Sequence, residues 1–468
     1  MLGKFKEKYI GSRDFYMYAL AIAVPMILQN VVTNFVSMLD NIMVGQIGTE
    51  QMSGVAISNE FLFVFNLTIF GAVSGPGIFG AQFFGKGDHK GQMYTFRFRL
   101  IVSTIITIVY GLLFFFFDKQ LVSLFLHKGG EAGDIDLALT YGRQYLRIMI
   151  FCLLPFSAGQ TYSSAVRECG ETKIPMIASF SAVIVNLVLD YGLIFGHLGL
   201  PQMGVRGAAI ATCIAKFIEA AFVIIWVHTH KNTYKFIEET YKGISIPGDL
   251  TGRMIRKGLP LLFNEFLWSA GMATVFQCYA YKGLDVVAAQ NIARTITNLL
   301  NVVYLQIGMS IAIIVGQKLG AGKLDEARAD AKKMQAFSIM VASVVMLVGL
   351  PVAHLFPSIY NTQDSIKALA TYFITIQSLV MPLWSYTNSS YFIIRSGGKT
   401  GITFLFDSGY TWGVMIPVIF CISRFTGLDI RMIFFIGTYL EVIKVATGFF
   451  MVRSGKWVVN LTDMGTNG

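Results

Sequence analysis

Two aspartates in apolar segments are the residues of this sequence best placed to do chemistry. Asp40 lies five residues before Gly45, where one apolar segment ends, and Asp190 lies six residues before Gly196, where another ends. The two carboxyl groups are therefore expected at similar depth. Crowded carboxyls away from water can take up a proton, and their oxygens suit a hard cation. The alternative is that each only bonds neighbouring backbone or hydroxyl groups.

An amide and a hydroxyl are expected beside these acids. Asn186 precedes Asp190 by four residues, which puts both side chains on one face of a helix. Thr212 stands eight residues after Gly204, where the next apolar segment begins, and can reach the same depth. Together with Asp40, these residues predict a coupling site for H⁺ or Na⁺. We expect no other metal, no cofactor and no catalytic group.

The elements that must hold these residues are membrane-spanning helices. The chain of 468 residues is 54% hydrophobic and only 14% charged, whereas a soluble protein needs about 25% charge. Apolar stretches of the length that crosses a bilayer, roughly 20 residues, recur along it. They predict an all-α integral membrane protein with twelve spans, at 15–44, 53–84, 94–117, 138–166, 173–196, 204–229, 257–281, 286–317, 333–355, 366–394, 401–425 and 430–453.

A two-fold repeat gives these spans their arrangement. The segment PMILQN at 25–30 aligns with PLLFNE at 260–265, and GAQFFGKG at 80–87 aligns with VGQKLGAG at 315–322, both at an offset of 235 residues. A further match follows at an offset of 228. Repeats of this length in an apolar chain indicate a transporter of two like halves. We expect two pseudo-symmetric lobes of six spans around a central cleft.

Spans and charges together predict the organisation of the chain. Most of its 37 Lys and Arg residues fall in segments that connect spans on the side of the N-terminus, so the positive-inside rule places both termini in the cytoplasm. We expect the protein in the cell membrane, as a monomer and without a cleaved signal peptide. The predicted segments are a cytoplasmic N-terminal segment at 1–14, an N-lobe at 15–229, a cytoplasmic linker at 230–256, a C-lobe at 257–453 and a cytoplasmic tail at 454–468.

Three segments resemble the multidrug and toxic compound extrusion (MATE) transporters. MLDNIMVGQIG at 38–48 is similar to the family's first-span motif, NLVLDYGLIFG at 186–196 to its fifth-span motif, and GVRGAAIAT at 204–212 to the start of its sixth span. The resemblance is to the bacterial branch of DNA-damage-inducible type. It implies a cation-coupled antiporter that exports organic, often cationic, compounds by alternating access. It also implies that the four residues of the candidate coupling site bind the cation.

The second lobe lacks an acid at the position that matches Asp40, where it has Val275. It carries Glu265 instead, next to Asn264, in the span that matches span one. Three roles are open for Glu265: it binds substrate, it binds a cation, or it satisfies a helix bend near Pro260. We group Glu265 and Asn264 as candidates for substrate binding or gating.

Span eleven carries a further acid with aromatic neighbours. Asp407 is followed by Tyr410 and Trp412. An acid beside aromatic rings suits an organic cation, which is attracted by the ring faces. The alternative is packing, or an aromatic belt at the membrane surface. We predict that Asp407 and Trp412 belong to the substrate-binding group.

Two charges in the outer half of the spans have no opposite charge three or four residues away on their own helix. The repeat places Glu60 of span two and Arg294 of span eight at the same depth. They predict a latch between the lobes, and the alternative is that each contacts substrate or its own lobe.

Two other pairs are spaced to bond within their own helices, so we expect them to be structural. They are Lys216 with Glu219 on span six, and Glu441 with Lys444 on span twelve.

The sequence argues against nucleotides and nucleic acids as partners. The segment at 80–87 matches most of a phosphate-binding loop, but Gly87 stands where Ser or Thr must bind magnesium, so we expect no nucleotide. The net charge of +10 follows the positive-inside pattern, so we expect no nucleic acid. The expected partners are the lipid bilayer and a small organic molecule.

An enzyme and a flippase are the alternatives to an exporter. An intramembrane enzyme needs a His, Ser or metal cluster at membrane depth, and the six histidines lie in loops or at span ends. We therefore expect no enzyme. A flippase for lipid-linked saccharides has a similar lobe. That function would be favoured by a large basic cleft, and few arginines of this sequence are in position to form one.

Overall fold

The computed structural model describes residues 9–124 and 135–463, and long helices make up most of that part. Residues 1–8 of the predicted N-terminal segment and 464–468 of the predicted tail lie outside the described residues. The twelve long helices of the described part are α1 Arg13–Gly45, α2 Thr49–Lys86, α3 His89–Ser123, α4 Ile135–Glu168, α5 Lys173–Phe195, α6 Val205–Thr229, α7 Gly248–Ala280, α8 Leu284–Gly320, α9 Leu324–Leu355, α10 Asp364–Ser396, α11 Thr400–Phe425 and α12 Ile430–Arg453.

Eleven helices of the described part are long and apolar enough to cross a membrane. The other long helix is α4, whose apolar stretch is interrupted by Arg143 and Arg147. Both arginines donate to one carboxylate oxygen of Asp118 on α3, over 3.1 and 2.6 Å, which offsets the cost of their charge. The predicted all-α membrane fold is confirmed, with a helix at each predicted span.

Several helices extend beyond the predicted span ends. α7 begins at Gly248 and α9 at Leu324, nine residues before the predicted starts of those spans. The physical reason is that an apolar stretch marks only the part of a helix inside the membrane, whereas charged residues outside the membrane can continue the same helix. The segment between α6 and α7 is accordingly shorter than the predicted linker. It contains two short 3₁₀ turns, Lys235–Ile237 and Thr240–Lys242.

Glycines of left-handed conformation end equivalent helices in the two halves. Gly87 (φ 75°) follows α2 and Gly322 (φ 74°) follows α8, at the offset of 235. Gly170 (φ 84°) and Gly398 (φ 71°) follow α4 and α10, at the offset of 228. Only glycine adopts this conformation without strain, and it lets a helix stop within one residue. The repeat seen in the sequence is therefore also a repeat of backbone geometry.

Contacts divide the chain into two compact units. The N-terminal unit comprises Leu28–Gly80 and His89–Met254, and the C-terminal unit comprises the residues up to Ile27, Ala81–Asp88 and the residues from Ile255 onward. Each unit contains two hydrophobic clusters. In the N-terminal unit, one cluster includes Phe236 of the linker, so the linker belongs to that unit's core.

The ends of α2 and α8 cross very closely within the C-terminal unit. A side chain at Gly85 would collide with the backbone of Gln317, and one at Gly320 would collide with the backbone of Gln82. The offset of 235 relates Gly85 to Gly320 and Gln82 to Gln317, so the two contacts are equivalent. The crossing therefore has pseudo-two-fold symmetry, and the segment that resembled a phosphate-binding loop is one of its two helix ends.

The chain after α12 folds back onto the end of α2. Trp457 is buried and donates through Nε1 to a carbonyl of α12 over 3.0 Å. Gln82 donates to the carbonyl of Ser396 over 2.9 Å and accepts from the backbone N–H of Leu461 over 2.6 Å. Lys86 donates to the Thr462 carbonyl over 3.0 Å. The described part of the predicted tail is thus packed against the C-terminal unit.

Candidate cation site and a second polar cluster

Helices α1 and α5 bring the two aspartates of the predicted coupling site together in the N-terminal unit. Asp190 is 1% exposed and Asn186, one turn earlier on α5, is 6% exposed. Asp40 on α1 is half-buried. The carboxyl groups of Asp40 and Asp190 are near enough for each to act on the other, and Asn186 is near Asp190. The similar depth inferred from the span ends is therefore accompanied by proximity of the two acids.

The polar atoms of this cluster are unsatisfied. Among the described residues, one carboxylate oxygen of Asp40, both of Asp190 and the amide nitrogen of Asn186 are buried without a hydrogen-bond partner. Two ionised carboxylates can only accept, so they cannot satisfy each other. Leaving a buried charged acceptor unpaired is costly. A proton between the carboxylates, or a small cation beside them, would remove that cost.

Lys216 on α6 is near the acids, and Thr212 lies one turn earlier on the same helix. The Thr212 hydroxyl donates to the Ala208 carbonyl over 3.0 Å, which leaves its oxygen free to accept or to bind a cation. Lys216 donates to Glu219 over 2.7 Å, as predicted for a pair on one helix. The Lys216 charge also acts on Asp40, and this proximity was not predicted from the sequence.

The C-terminal unit holds a second polar cluster, in which Asn264 links α7 to α11. Its Nδ2 donates to Asp407 Oδ2 over 3.1 Å, and its Oδ1 accepts from the Ser408 hydroxyl over 2.8 Å. The Ser408 backbone N–H donates to the same oxygen over 3.3 Å. Asn264 is 1% exposed, and these contacts hold the two helices together. Its role in substrate binding or gating stays a prediction.

Lys444 pairs with Asp407, and the predicted pairing of Lys444 with Glu441 is wrong. The Lys444 ammonium lies 2.6 Å from Asp407 Oδ1, and Glu441 instead accepts from the Thr387 hydroxyl over 2.6 Å. The physical reason is that α11 contains two π-helical segments, Leu405–Gly409 and Thr411–Met415, the first of which contains Asp407. Spacing along one helix could not reveal a partner on another.

The aromatic residues near Asp407 have partners of their own. Tyr410 donates to the Leu440 carbonyl over 2.6 Å, and Trp412 donates through Nε1 to the Leu267 carbonyl over 2.8 Å. These bonds fix the two rings within the C-terminal unit. Asp407 and Tyr410 of the predicted acid-plus-aromatic group both lie near the Lys444 ammonium. The role of Asp407 and Trp412 in substrate binding stays a prediction.

Glu265 is half-buried near the same cluster. The charges that act on its carboxylate are Arg395 on α10 and Asp407 on α11. The Arg395 guanidinium lies 5.4 Å from the ring centre of Phe392, and one of its terminal nitrogens is buried without a partner among the described residues. The sequence reading did not single out Arg395. Glu265 and Arg395 therefore carry opposite charges that act on one another.

Glu60 and Arg294 belong to different units, and each is exposed. The Arg294 guanidinium lies 5.4 Å from the ring centre of Phe276 on α7, within the C-terminal unit. Their predicted latch stays a prediction. Within the described residues, no group of three or more His, Cys, Asp or Glu side chains has a geometry that could hold a metal ion.

A family model matches both halves of the chain. The MatE model matches residues 25–192 and again residues 260–421, and the two matches start 235 residues apart, which is the offset of the repeat. The two matches cover well over half of the sequence. The chain belongs to the MatE family of membrane transporters.

Individual relatives match over most of the chain. The probable multidrug resistance protein NorM of Thermotoga maritima is 24% identical, over 94% of this chain and 92% of its own. The probable multidrug resistance protein YoeA of Bacillus subtilis is 22% identical, over 87% of each chain. The multidrug resistance protein PmpM of Pseudomonas aeruginosa is 23% identical, over 85% of this chain and 82% of its own.

Solved structures share the fold. A multidrug resistance MATE family transporter of the MOP superfamily, in an outward-facing conformation, has a TM-score of 0.83 at 18% identity, over 94% of this chain and 96% of its own. The Vibrio cholerae MATE transporter VcmN, in a mutant form, has a TM-score of 0.81 at 16% identity, over 95% and 98%. Together with the family, these likenesses define a multi-pass membrane transporter of multidrug-extrusion type, not an enzyme.

Proposed function

We propose that this chain is a cation-coupled antiporter that exports organic, mainly cationic or amphipathic, compounds by alternating access. In this proposal Asp40, Asn186, Asp190 and Thr212 bind the coupling ion, which is H⁺ or Na⁺. Glu265 contributes to the binding of a cationic substrate. The multidrug resistance names of the relatives support the substrate class.

One observation carries the assignment of the coupling site. Three buried carboxylate oxygens of Asp40 and Asp190 have no partner among the described residues, although the two acids lie next to each other. The donor set of carboxylates, one amide and one hydroxyl suits Na⁺, which prefers oxygen ligands, and two adjacent acids equally suit one shared proton. Buried carboxylate oxygens in a purely structural role usually have a donor, which favours an ion-binding role here.

Coupling follows from the difference between the loaded and the empty site. When the acids are empty, their charges repel each other and favour an arrangement in which water reaches them. When they are loaded, the bound proton or cation cancels one of the two negative charges, and the less charged pair is easier to bury. A ligand that stabilises one arrangement more than the other shifts the population between them, and this lets an ion gradient drive export.

The remaining parts of the proposal follow from charge and family. Lys and Arg concentrated on one side of the membrane support a cytoplasmic location for both termini, in the cell membrane. We also propose that the transporter works as a monomer, since each chain carries both halves of the repeat. The relatives reported above carry multidrug resistance names and give no support to the flippase alternative.

The test is substrate efflux from proteoliposomes, driven first by a pH gradient and then, separately, by a sodium gradient. The native protein should export under at least one gradient, and that gradient identifies the ion. Asp40→Asn should insert normally but export only at the rate of passive leak, because an amide cannot cycle its charge.

A matched acid at the surface provides the control. Asp249 begins α7, its side chain is 78% exposed, and it pairs with Arg253 on the same helix. Asp249→Asn should retain full export under the same gradients. Undiminished export by Asp40→Asn would remove the basis for the coupling site.

A further inference from the structure

The pair of Asp407 and Lys444 has the geometry of a filled cation-binding cage. The Lys444 ammonium lies 2.6 Å from Asp407 Oδ1, 5.3 Å from the ring centre of Phe406 and 6.0 Å from that of Tyr410. A carboxylate with aromatic rings within about 6 Å is an arrangement that binds organic ammonium ions. The side chains of Lys444 and Asp407 are 13% and 16% exposed, so the pair is largely shielded from water.

Asp407 and Tyr410, two of the three residues that form this cage, are held by contacts that do not involve Lys444. Asn264 donates to the second oxygen of Asp407, and the Tyr410 hydroxyl donates to a backbone carbonyl of α12. Phe406 is 4% exposed and packs beneath the ammonium. The two π-helical segments of α11 present these residues, and such segments occur often at functional sites. The cage should therefore keep its shape when the lysine is shortened.

We propose that Lys444 determines specificity, because its ammonium is the resident ligand of the cage formed by Asp407, Phe406 and Tyr410 and keeps substrate ammonium groups out of it. A tethered group competes at an effective concentration on the order of millimolar, so dilute organic cations do not displace it. The inference rests on the proposed function only in taking organic cations as substrates. It assigns their recognition to other acids, with Glu265 as the candidate named above.

The inference is tested by shortening the lysine and supplying the lost group. Lys444→Ala removes three methylene groups and the ammonium, which together correspond to n-propylammonium. The purified variant should melt at a lower temperature than the native protein. Its melting temperature should rise saturably with n-propylammonium chloride, because a ligand that binds only the folded state stabilises it. Neither 1-propanol nor potassium chloride at equal concentration should have this effect.

Three controls separate a filled cage from general salt or solvent effects. The native protein and Lys444→Arg, whose cages are occupied, should show no saturable shift. Lys444→Ala combined with Asp407→Asn should also show none, because the cage then lacks its carboxylate. A response confined to Lys444→Ala supports the inference. The absence of that response, or an equal response in the double variant, overturns it.

A loss of folding in Lys444→Ala would not hide the result. In that case the yield of folded protein is measured from cells grown with and without n-propylammonium chloride. A higher yield with the ammonium salt supports the cage, and an unchanged yield contradicts it. No transport is measured in these experiments, so their outcome is independent of whether Asp40 couples export to an ion gradient.

Discussion

A buried carboxylate without a partner lowers stability, and Asp190 is such a residue. We predict that Asp190→Asn abolishes gradient-driven export while the protein melts at the same temperature or higher at pH 8. The amide can donate to the neighbouring carboxyl group, whereas a buried acceptor left without a donor typically costs about 1–3 kcal/mol or more. The measurement is thermal unfolding of the purified variant, beside efflux from proteoliposomes.

Asp118 provides the control for this prediction. It is also a buried acid, but it accepts from Arg143 and Arg147 over 3.1 and 2.6 Å. Asp118→Asn should lower the melting temperature, because two arginines lose their counter-charge. If Asp190→Asn lowered the melting temperature as much as Asp118→Asn, Asp190 would be a structural acid and the coupling site would lose its main support.

Glu265 is predicted to contact cationic substrates. Glu265→Gln should weaken the binding of a cationic compound by about 1.5–3 kcal/mol, roughly tenfold to 150-fold, and leave a neutral compound of similar size nearly unaffected. Equilibrium binding to purified protein measures both affinities. Glu441→Gln is the control, because Glu441 is a membrane acid that already accepts from Thr387. Equal losses for both compounds in Glu265→Gln would support the helix-bend role instead.

The residues of the first cluster could be found from the sequence, and those of the second only in part. Asp40 and Asp190 are predicted to lie at one depth because each is a known number of residues from a span end. Equal depth is the main condition for two residues on neighbouring helices to lie close together. The partner of Lys444 could not be found in this way. It depends on which neighbouring helix faces α12 and on the π-helical turn that contains Asp407, and neither can be read from spacing along one helix.

At the scale of elements, the crossing of α2 and α8 depends on two glycines. We predict that Gly85→Ala and Gly320→Ala each lower the melting temperature, by similar amounts, because either methyl group meets a backbone carbonyl of the other helix. Overpacking of this kind typically costs about 1–3 kcal/mol. Since one widening of the crossing accommodates both methyl groups, the double variant should cost less than the sum of the two.

The control for the crossing is a helical glycine in open space. Gly252 on α7 has no atom within 4 Å of the position that a Cβ would take. Gly252→Ala should be neutral or stabilising by up to about 1 kcal/mol, the usual gain in a helix. Thermal unfolding of the four variants is the measurement. Additive losses from Gly85 and Gly320 would mean that the two contacts are independent and that the crossing is not one symmetric contact.

Helix existence followed from the sequence more readily than helix ends. Twelve apolar stretches are enough to predict twelve helices, because a backbone in lipid must satisfy its own hydrogen bonds. The ends are set by other forces. α7 starts at Gly248, in a stretch too charged to be predicted as part of a span. The chain after α12 is held by contacts of Trp457 and Gln82, which the periodicity of the sequence does not predict.

At the scale of the whole molecule, the repeat relates one half-buried lysine in each unit to the other. The offset of 228 relates Lys216 on α6 to Lys444 on α12, and both ammonium groups are paired with a carboxylate. The acids come from different positions. Asp407 matches Ser179, and Glu219 reaches toward Ser179 from α6. The two units thus have a similar lysine–carboxylate pair, although the carboxylates stand at different positions of the repeat. The cluster of Asp40 and Asp190 belongs to the N-terminal unit.

The Glu60 and Arg294 latch is the prediction that involves both units. If the pair forms when the outer side closes, it favours closed or inward-facing states, and losing it favours the outward-open state. Spin labels at Thr49 and Leu284 can report the distance, since both residues are exposed at the starts of α2 and α8 and the repeat makes them equivalent. The exposed Cys421 must first be replaced by serine, and labelling of the remaining cysteines checked.

Arg294→Ala should lengthen the mean distance between the two labels, because the closed states lose a stabilising pair. The exchange of Glu60→Arg with Arg294→Glu should largely restore the native distance distribution, since the attraction is kept with its signs reversed. Phe276→Leu removes the ring beneath Arg294 without changing any charge, and it should leave the distribution close to native. An unchanged distribution in Arg294→Ala would show that no latch exists. Lengthening in Phe276→Leu equal to that in Arg294→Ala would assign the effect to packing within the C-terminal unit.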